Sequence, residues 1–533
     1  MTAATQTWPA EGVTWRPKVN PWVIGVTVSM AAFLEVLDTS IANVALPYIA
    51  GNLGASYDDS TWVLTSYLAA NAIVLPISGW LAEVIGRKRY FLISLVVFTA
   101  SSLLCGLAPS LPLLLLFRAL QGVGGGGLQP MAQAILNDSF PPEKRGLAFA
   151  LYGVTAVLAP TIGPMLGGWI TDNYSWRWIF FIKLPVAALA LYLTYALVED
   201  PPFLRRLKRG GIRVDYLGIA LLSLGVGSLQ ILLDKGQEDD WFGSHFIVAL
   251  VAIAAVCLIS LAVWEWFHKE PIIDVRLFKN FNFAAANLMM FMMGVMLFST
   301  LVMIPEFLQT LMGYTAELAG LVLSASGFVL LVMMPIVGRL TAKIPSRYLI
   351  AAGWGALAVG LYYSAYRLDL FISFRFAMWL RVVQVVGIGF LFVPITMAGY
   401  IGIPAEKGNS VSGMVNFMRN IGSSIGTSLV TTMLARRAQY HQQILVGHIT
   451  PDAPAVRGAL RALTRHIASS GMSLHDAHLR AVARLYALIN RQAHTLAYLD
   501  TFWVLAALSA VMFVLAFFLK KNDPGAGGDI AVG

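Results

Sequence analysis

Cysteine is nearly absent: Cys105 and Cys257 are the only two in 533 residues. Both lie in apolar stretches, so a disulfide framework is excluded and core packing is the expected role of each. Charge is scarce as well. Charged residues make up 12% of the chain, against roughly 25% in soluble proteins. A string of soluble domains is thereby excluded. Six of the eight histidines, His441, His448, His466, His475, His478 and His494, fall in one stretch, 436–495. They show no tight ligand spacing, so no metal centre is expected. The apolar segments hold no Ser/His/Asp or metal constellation, which leaves an intramembrane enzyme without its chemistry. The glycine run GVGGGG at 122–127 lacks the Gly-Lys-Ser/Thr ending of a phosphate loop. It lies inside an apolar segment, where close helix packing explains it. No cofactor is expected.

What the chain has in abundance is apolar sequence, 58% of its residues. A polytopic all-α membrane protein is expected, with fourteen transmembrane helices of the length a bilayer requires. Their cores are 22–46, 61–82, 90–108, 111–136, 147–170, 178–198, 215–234, 245–267, 284–308, 317–340, 348–366, 374–399, 410–434 and 501–519. The apolar run after Arg16 and Lys18 continues to Leu46, so the first span is uncleaved. The net charge of +9 sits mostly at span ends. It therefore speaks for topology and not for nucleic acid. Arg87–Arg89, Lys144–Arg145, Arg205–Arg213, Arg276, Lys279, Arg339, Lys343, Arg347 and Lys407 fall on one side. That side is the expected cytoplasmic face, and an even span count puts both termini there.

The chain repeats itself. RALQGVGG at 118–125 and RVVQVVGI at 381–388 share Arg, Gln and Gly at one offset, and GWLAEVIGRKRY at 79–90 echoes GRLTAKIPSRY at 338–348. Spans 1–6 then match spans 9–14. The expected divisions are a tail at 1–20, a six-helix half at 21–200, two inserted helices at 201–282, a second half at 283–520 and a tail at 521–533. The second half includes an outer loop at 436–495. Duplicated six-helix halves mark transporters whose site lies between them.

Polar residues inside the spans point to that site. Glu35 and Asp38 share one face of the first span, and a carboxylate at bilayer depth is costly unless paired, solvated or protonated. Arg118, Gln121, Gln129 and Gln133 form one polar arc on span 4. Rise per residue places Asp38 and Arg118 at similar depth, roughly 10–12 Å below the outer ends of their spans. The two can meet, either as a proton-coupling pair or as a permanent ion pair that only fixes helix packing. Lys183 lies at a matching depth, as a further partner or as a side chain reaching for the interface. Arg419, between Asn416 and Asn420, suits an anionic substrate or interhelical hydrogen bonds. Glu306 is near the outer interface. Glu83 and Arg87, four residues apart, are expected to pair as a latch. SLHDAHLRAVARLYALI at 473–489 reads as an amphipathic helix on the outer surface.

Together Gly79…Glu83…Gly86-Arg87-Lys88, Arg118…Gln121-Gly122, Gly163-Pro164…Gly167-Gly168 and LDTSIANVALP at 37–47 resemble the motifs of the major facilitator superfamily's drug/proton antiporters. With fourteen spans and SLQILLDKGQEDDWF at 228–242, the chain is most similar to the EmrB/QacA type and its EmrB-like multidrug export permeases. The resemblance implies Asp38 as proton-coupling carboxylate, with Glu35 as an auxiliary site and Arg118 as relay. It implies gating by Gly79, Glu83, Gly86, Arg87, Lys88, Gly163 and Pro164. A cavity drawing on Glu35, Asn43, Gln121, Gln129, Met292, Phe298, Glu306 and Arg419 would take small hydrophobic or amphiphilic compounds, among them drugs, uncouplers and fatty acids. Partners implied are membrane lipid, protons, a periplasmic adaptor (membrane fusion protein) and a TolC-like outer-membrane channel, around a permease in the bacterial inner membrane. A metabolite or siderophore exporter, or a symporter of the same fold, is the rival. This sequence departs from the pattern at Glu83, where the family usually has Asp, and at Lys183, where Asn is expected. Glu35 and Glu306 stand where EmrB-like proteins tend to have Gln.

Overall fold

Apolar run length decides where the helices lie, and proline, glycine and charge decide where they break. The computed structural model describes residues 17–200, 215–268, 271–404, 407–449 and 453–520. The basic linker around Arg205–Arg213, residues 1–16 of the first tail and the second tail fall outside the described residues. Among the described residues the chain is helical, with no strand.

The first half runs α1 (Pro21–Leu53), α2 (Tyr57–Ile85), α3 (Arg87–Leu107), α4 (Leu111–Gly125), α5 (Leu128–Ser139), α6 (Pro142–Asn173), α7 (Trp178–Phe181) and α8 (Leu184–Leu197). The inserted pair is α9 (Tyr216–Lys235) and α10 (His245–Phe267). The second half runs α11 (Phe281–Glu306), α12 (Ala316–Leu340), α13 (Ser346–Arg367), α14 (Phe374–Gly399), α15 (Gly408–His448), α16 (Pro454–Ala468) and α17 (Leu474–Ala516). Thirteen described helices, counting α4–α5 and α7–α8 as one each, are long and apolar enough to cross a membrane. The remaining expected span, 410–434, lies in α15, which is less apolar because it carries Asn416, Arg419 and Asn420.

Glycine sets how closely the first half packs. The expected span 4 is two helices, with Gly126 and Gly127 at the joint between α4 and α5. A Cβ on Gly122 would lie 2.4 Å from the Tyr67 carbonyl oxygen, and one on Gly124 would lie 2.5 Å from the Phe98 nitrogen. The run therefore lets α4 lie against the backbones of α2 and α3. Ser40 of α1 donates to the carbonyl of Pro160 on α6 at 3.2 Å. Gly163 and Gly167 leave room for Ser40 and Ile41 of α1, which brings α6 onto the helix that carries both buried carboxylates.

The halves meet along α2 with α15 and α6 with α12. At the Arg87 end the contact is tight. A Cβ on Gly79 would lie 2.9 Å from the Ser410 backbone, and one on Gly146 would lie 2.5 Å from the Gly338 carbonyl. The inserted α9 and α10 pack on each other, and α9 also touches α2 and α15.

The stretch 436–495 is not an irregular loop. It continues α15 to His448, forms α16, and begins α17 at Leu474 as one helix with the last span. The expected amphipathic helix at 473–489 is there, as the start of α17. At 1.5 Å per residue, helices of 41 and 43 residues are far longer than the roughly 20 residues a bilayer needs. They project beyond the bundle, where Arg437 and His441 both meet Asp500, at 2.6 and 2.7 Å.

Candidate functional site

Two buried carboxylates occupy successive turns of α1, and their surroundings differ. Asp38 is fully buried. Arg118 on α4 approaches it at 2.5 Å, Gln121 donates to its other oxygen at 3.0 Å, and the Lys183 ammonium reaches the same oxygen from the joint of α7 and α8. Lys183 is buried and does not reach for the interface. The guanidinium is held in place on other sides. Its Nε donates to the Val63 carbonyl at 2.9 Å, its Nη1 to Gln121 at 2.8 Å, and its plane lies over the Tyr67 ring at 4.4 Å. Lys183 lies over the rings of Phe98 and Phe180. One carboxylate thus faces two cations in a buried pocket, and every group in it belongs to the first half. Such a pocket holds a charge only while its counter-charges stay in place.

Glu35, also buried, has no cation at contact distance among the described residues. Tyr67 donates to it at 3.2 Å and Asn71 at 3.0 Å, both from α2, and Gln129 on α5 donates to its second oxygen. From there the network leaves the first half. Gln129 accepts from Tyr152 of α6 at 2.8 Å and from Arg419 of α15. Gln133 and Asn416 bond across the halves at 2.8 Å, as do Asn71 and Asn420 at 3.2 Å. Tyr67 joins the two pockets: its hydroxyl serves Glu35 while its ring carries Arg118.

Other expected residues are placed differently. Glu83 and Arg87 form no ion pair among the described residues. Gly86, between them, takes φ 96° and ends α2, which removes the helical spacing the pair required. Arg87 is instead buried, ion-paired with Asp138 of α5 and bonded through Nε to Asn409 of the other half at 2.7 Å. Lys88 donates to the Tyr195 carbonyl at 2.7 Å. Asn43 and Glu306 are exposed and belong to neither network. Met292 and Phe298 are half-buried, but Met289, Met290, Met293 and Met296 lie in the core. The methionine-rich stretch is largely packing: Gly294 brings α11 so close to α15 that a Cβ there would lie 2.3 Å from the Arg419 carbonyl.

Sequence reasoning missed Tyr67, Asn71, Tyr152 and Asp138. Tyr67 and Asn71 are four residues apart, one polar edge on an apolar helix, which is a readable signal. Tyr152 and Asp138 carry none, because an aromatic or a carboxylate near a span end is commonplace.

The arrangement is two pseudo-repeated helical bundles with buried charges at and beside their junction. Residues 28–427 match the model of the Major Facilitator Superfamily. The chain belongs to the major facilitator superfamily. Members of this family are transporters, so this chain is a transporter and not an enzyme. The multidrug export protein EmrB of Escherichia coli (strain K12) is 37% identical over 506 residues, covering 95% of this chain and 96% of that protein. The fatty acid resistance protein FarB of Neisseria gonorrhoeae is 38% identical over 460 residues, covering 85% and 88%. The proton:xylose symporter XylE has the same fold, with a TM-score of 0.60 over 94% of this chain and 96% of its own, at 15% identity. This chain is an EmrB-like major facilitator permease with many membrane spans.

Proposed function

We propose that this permease exports apolar and amphiphilic compounds across the bacterial inner membrane in exchange for protons. The observation that carries the reading is the contrast on α1: Asp38 is enclosed by two cations of its own half, whereas the Glu35 network extends through Gln129 to Arg419 of the other half. Protonation of Asp38 removes the charge that holds Arg118 and Lys183, and those cations then relax within the first half. Arg118 shares Tyr67 with Glu35, so the change passes to the groups that tie the halves together. Loosening them lets the halves rock about the tight contact at Gly79–Ser410 and Arg87–Asn409. The relatives named for multidrug export and fatty acid resistance support a substrate class of apolar compounds, many with a polar or charged group.

The Arg87 side is the cytoplasmic face in this reading, from the excess of basic residues in its short loops. The projecting α15, α16 and α17 then stand on the outer side. They form the docking surface for a periplasmic adaptor that leads to an outer-membrane channel. Reconstituted vesicles test the core of the reading. An imposed pH gradient should drive a fluorescent amphiphile against its own gradient, with protons moving the opposite way; proton and amphiphile moving together would contradict it.

A further inference from the structure

The inserted pair is fastened to both halves. α9 touches α2 of the first half and α15 of the second, and Gln230, Asp234 and Lys235 interrupt its largely apolar sequence toward the outer end. Such side chains are costly in a span unless they find partners. Asp234 accepts from the Thr65 hydroxyl of α2. Lys235 is 3% exposed; it donates to the Thr61 hydroxyl, lies 5.4 Å over the Trp62 ring, both on α2, and pairs with Glu238 beside it at 2.7 Å. Gln230 is 1% exposed and turns the other way, where its amide donates to the Ser424 hydroxyl of α15 at 2.9 Å. Just past α9, Asp240 and Trp241 take φ of 58° and 46° in succession, a left-handed stretch that residues other than glycine rarely adopt. Beyond this turn the Trp241 Nε1 is shared between Gln237 and the Thr432 hydroxyl of α15, each at 3.2 Å.

The two ends of the α2–α15 seam are therefore joined differently. At the Arg87 end the two backbones meet at Gly79 and Ser410, and partway along Asn71 meets Asn420. Farther out, among the described residues, the hydrogen bonds that span the seam run through α9. A helix bonded to both halves cannot stay on both when they part at that end. Its grip on α2 carries two charged side chains, and its grip on α15 is neutral throughout. Charge-assisted bonds are the stronger, so the α15 side is the one that gives.

We propose that α9 and the Trp241 turn form a strap across the outer end of this seam, anchored on α2 and released from α15 each time the outer end opens. The strap rests on the rocking of the halves in the reading above, and on neither the protons nor the identity of the substrate. Release breaks the neutral bonds at Ser424 and Thr432 and leaves the charged grip at Thr61 and Thr65 in place, so α9 travels with the first half and rebinds α15 on closing.

Spin-label distances in the full-length protein test this, in lipid nanodiscs and with Cys105→Ala and Cys257→Ala in the background. Labels take the place of three exposed side chains: Phe242 beside Trp241, Asp59 at the start of α2 and Tyr440 on α15. Measured at acidic and at alkaline pH, the α2–α15 pair should show a short and a long population. The strap–α15 pair should show the same two, while the strap–α2 pair keeps a single distance. Gln230→Leu with Trp241→Phe removes both bonds to α15 and should raise the long share of the strap–α15 pair about twofold or more. Ser424→Ala removes one of those bonds from the α15 side; it should shift the share the same way and keeps the test open if the double variant does not fold. A second distance in the strap–α2 pair, a single distance in the strap–α15 pair while α2–α15 has two, or unchanged shares in the folded variants would overturn the strap and leave the rocking intact. A single α2–α15 distance at every pH would overturn the rocking, and the strap with it.

Discussion

Asp38 and Glu35 are one helical turn apart, yet they belong to different parts of the machine. Asp38 is neutralised locally by Arg118 and Lys183, so its partners move with it as one rigid half. Glu35 is satisfied by neutral donors, and those donors reach Arg419, Asn416 and Asn420 across the junction. In the proposed reading the two have separate duties. A charge enclosed within one half can be switched without first separating the halves. A carboxylate tied across the junction cannot keep its partners once the halves move, so it is suited to sense or shape the cavity. The same contrast recurs between the halves, where Arg118 has its acid and Arg381, among the described residues, does not.

The contrast can be broken at several points. The largest effect is expected for Arg118→Ala. It strips Asp38 of one cation and Gln121 of its donor, and breaking a buried ion pair costs roughly 3–5 kcal/mol. Lower thermal stability in nanodiscs and loss of proton-driven export should both follow, whereas an export profile against pH that matches the wild type would remove Arg118 from the coupling. Glu35→Gln should leave proton coupling in place and alter substrate choice instead. The change retains an acceptor for Tyr67 and Asn71, so export of cationic amphiphiles should fall about tenfold, the equivalent of one lost interaction of about 1.4 kcal/mol, with little change for neutral ones. A substrate panel in a strain without competing pumps reads this directly. An equal loss for cationic and neutral compounds would return Glu35 to the proton path. Tyr67→Phe keeps the ring under Arg118 and removes the hydroxyl from Glu35, so a few-fold drop in turnover is expected with a retained pH optimum. Tyr67→Leu, which removes both, should shift that optimum. The smallest effect in vesicles is expected for deleting residues 440–490. Vesicle transport should change less than twofold while cellular resistance falls, and loss of vesicle transport would make the projecting helices part of the transport bundle.

Much of this was legible in the sequence because membrane proteins punish polarity. Every charge inside an apolar run needs a reason, and Glu35, Asp38, Arg118, Lys183 and Arg419 all proved to be partners in one of two networks. Helix rise alone put Asp38 and Arg118 at the same depth. Lys183 could not be decided that way, because depth does not say whether a long side chain turns inward. The repeat was readable from RALQG and RVVQV, and with it the two-half architecture. Glu83 and Arg87 misled because helical spacing holds only while the helix continues, and Gly86 ends it. Composition also does not separate a cavity lining from a helix that a glycine draws tight against its neighbour: around half-buried Met292, the methionines at 289, 290, 293 and 296 are core. The stretch 436–495 read as a loop because its arginines and histidines hide the continuity of α15 and α17, which exposed polar faces do not interrupt.

The central claim is that Asp38, and not Glu35, couples transport to protons. Counterflow and pH-driven uptake measured side by side in vesicles test it most directly, with Asp38→Asn and Glu35→Gln at matched protein density. The account predicts that Asp38→Asn still exchanges labelled for unlabelled substrate but no longer accumulates it when a pH gradient is imposed, while Glu35→Gln does both. Accumulation by Asp38→Asn at the wild-type level would contradict it.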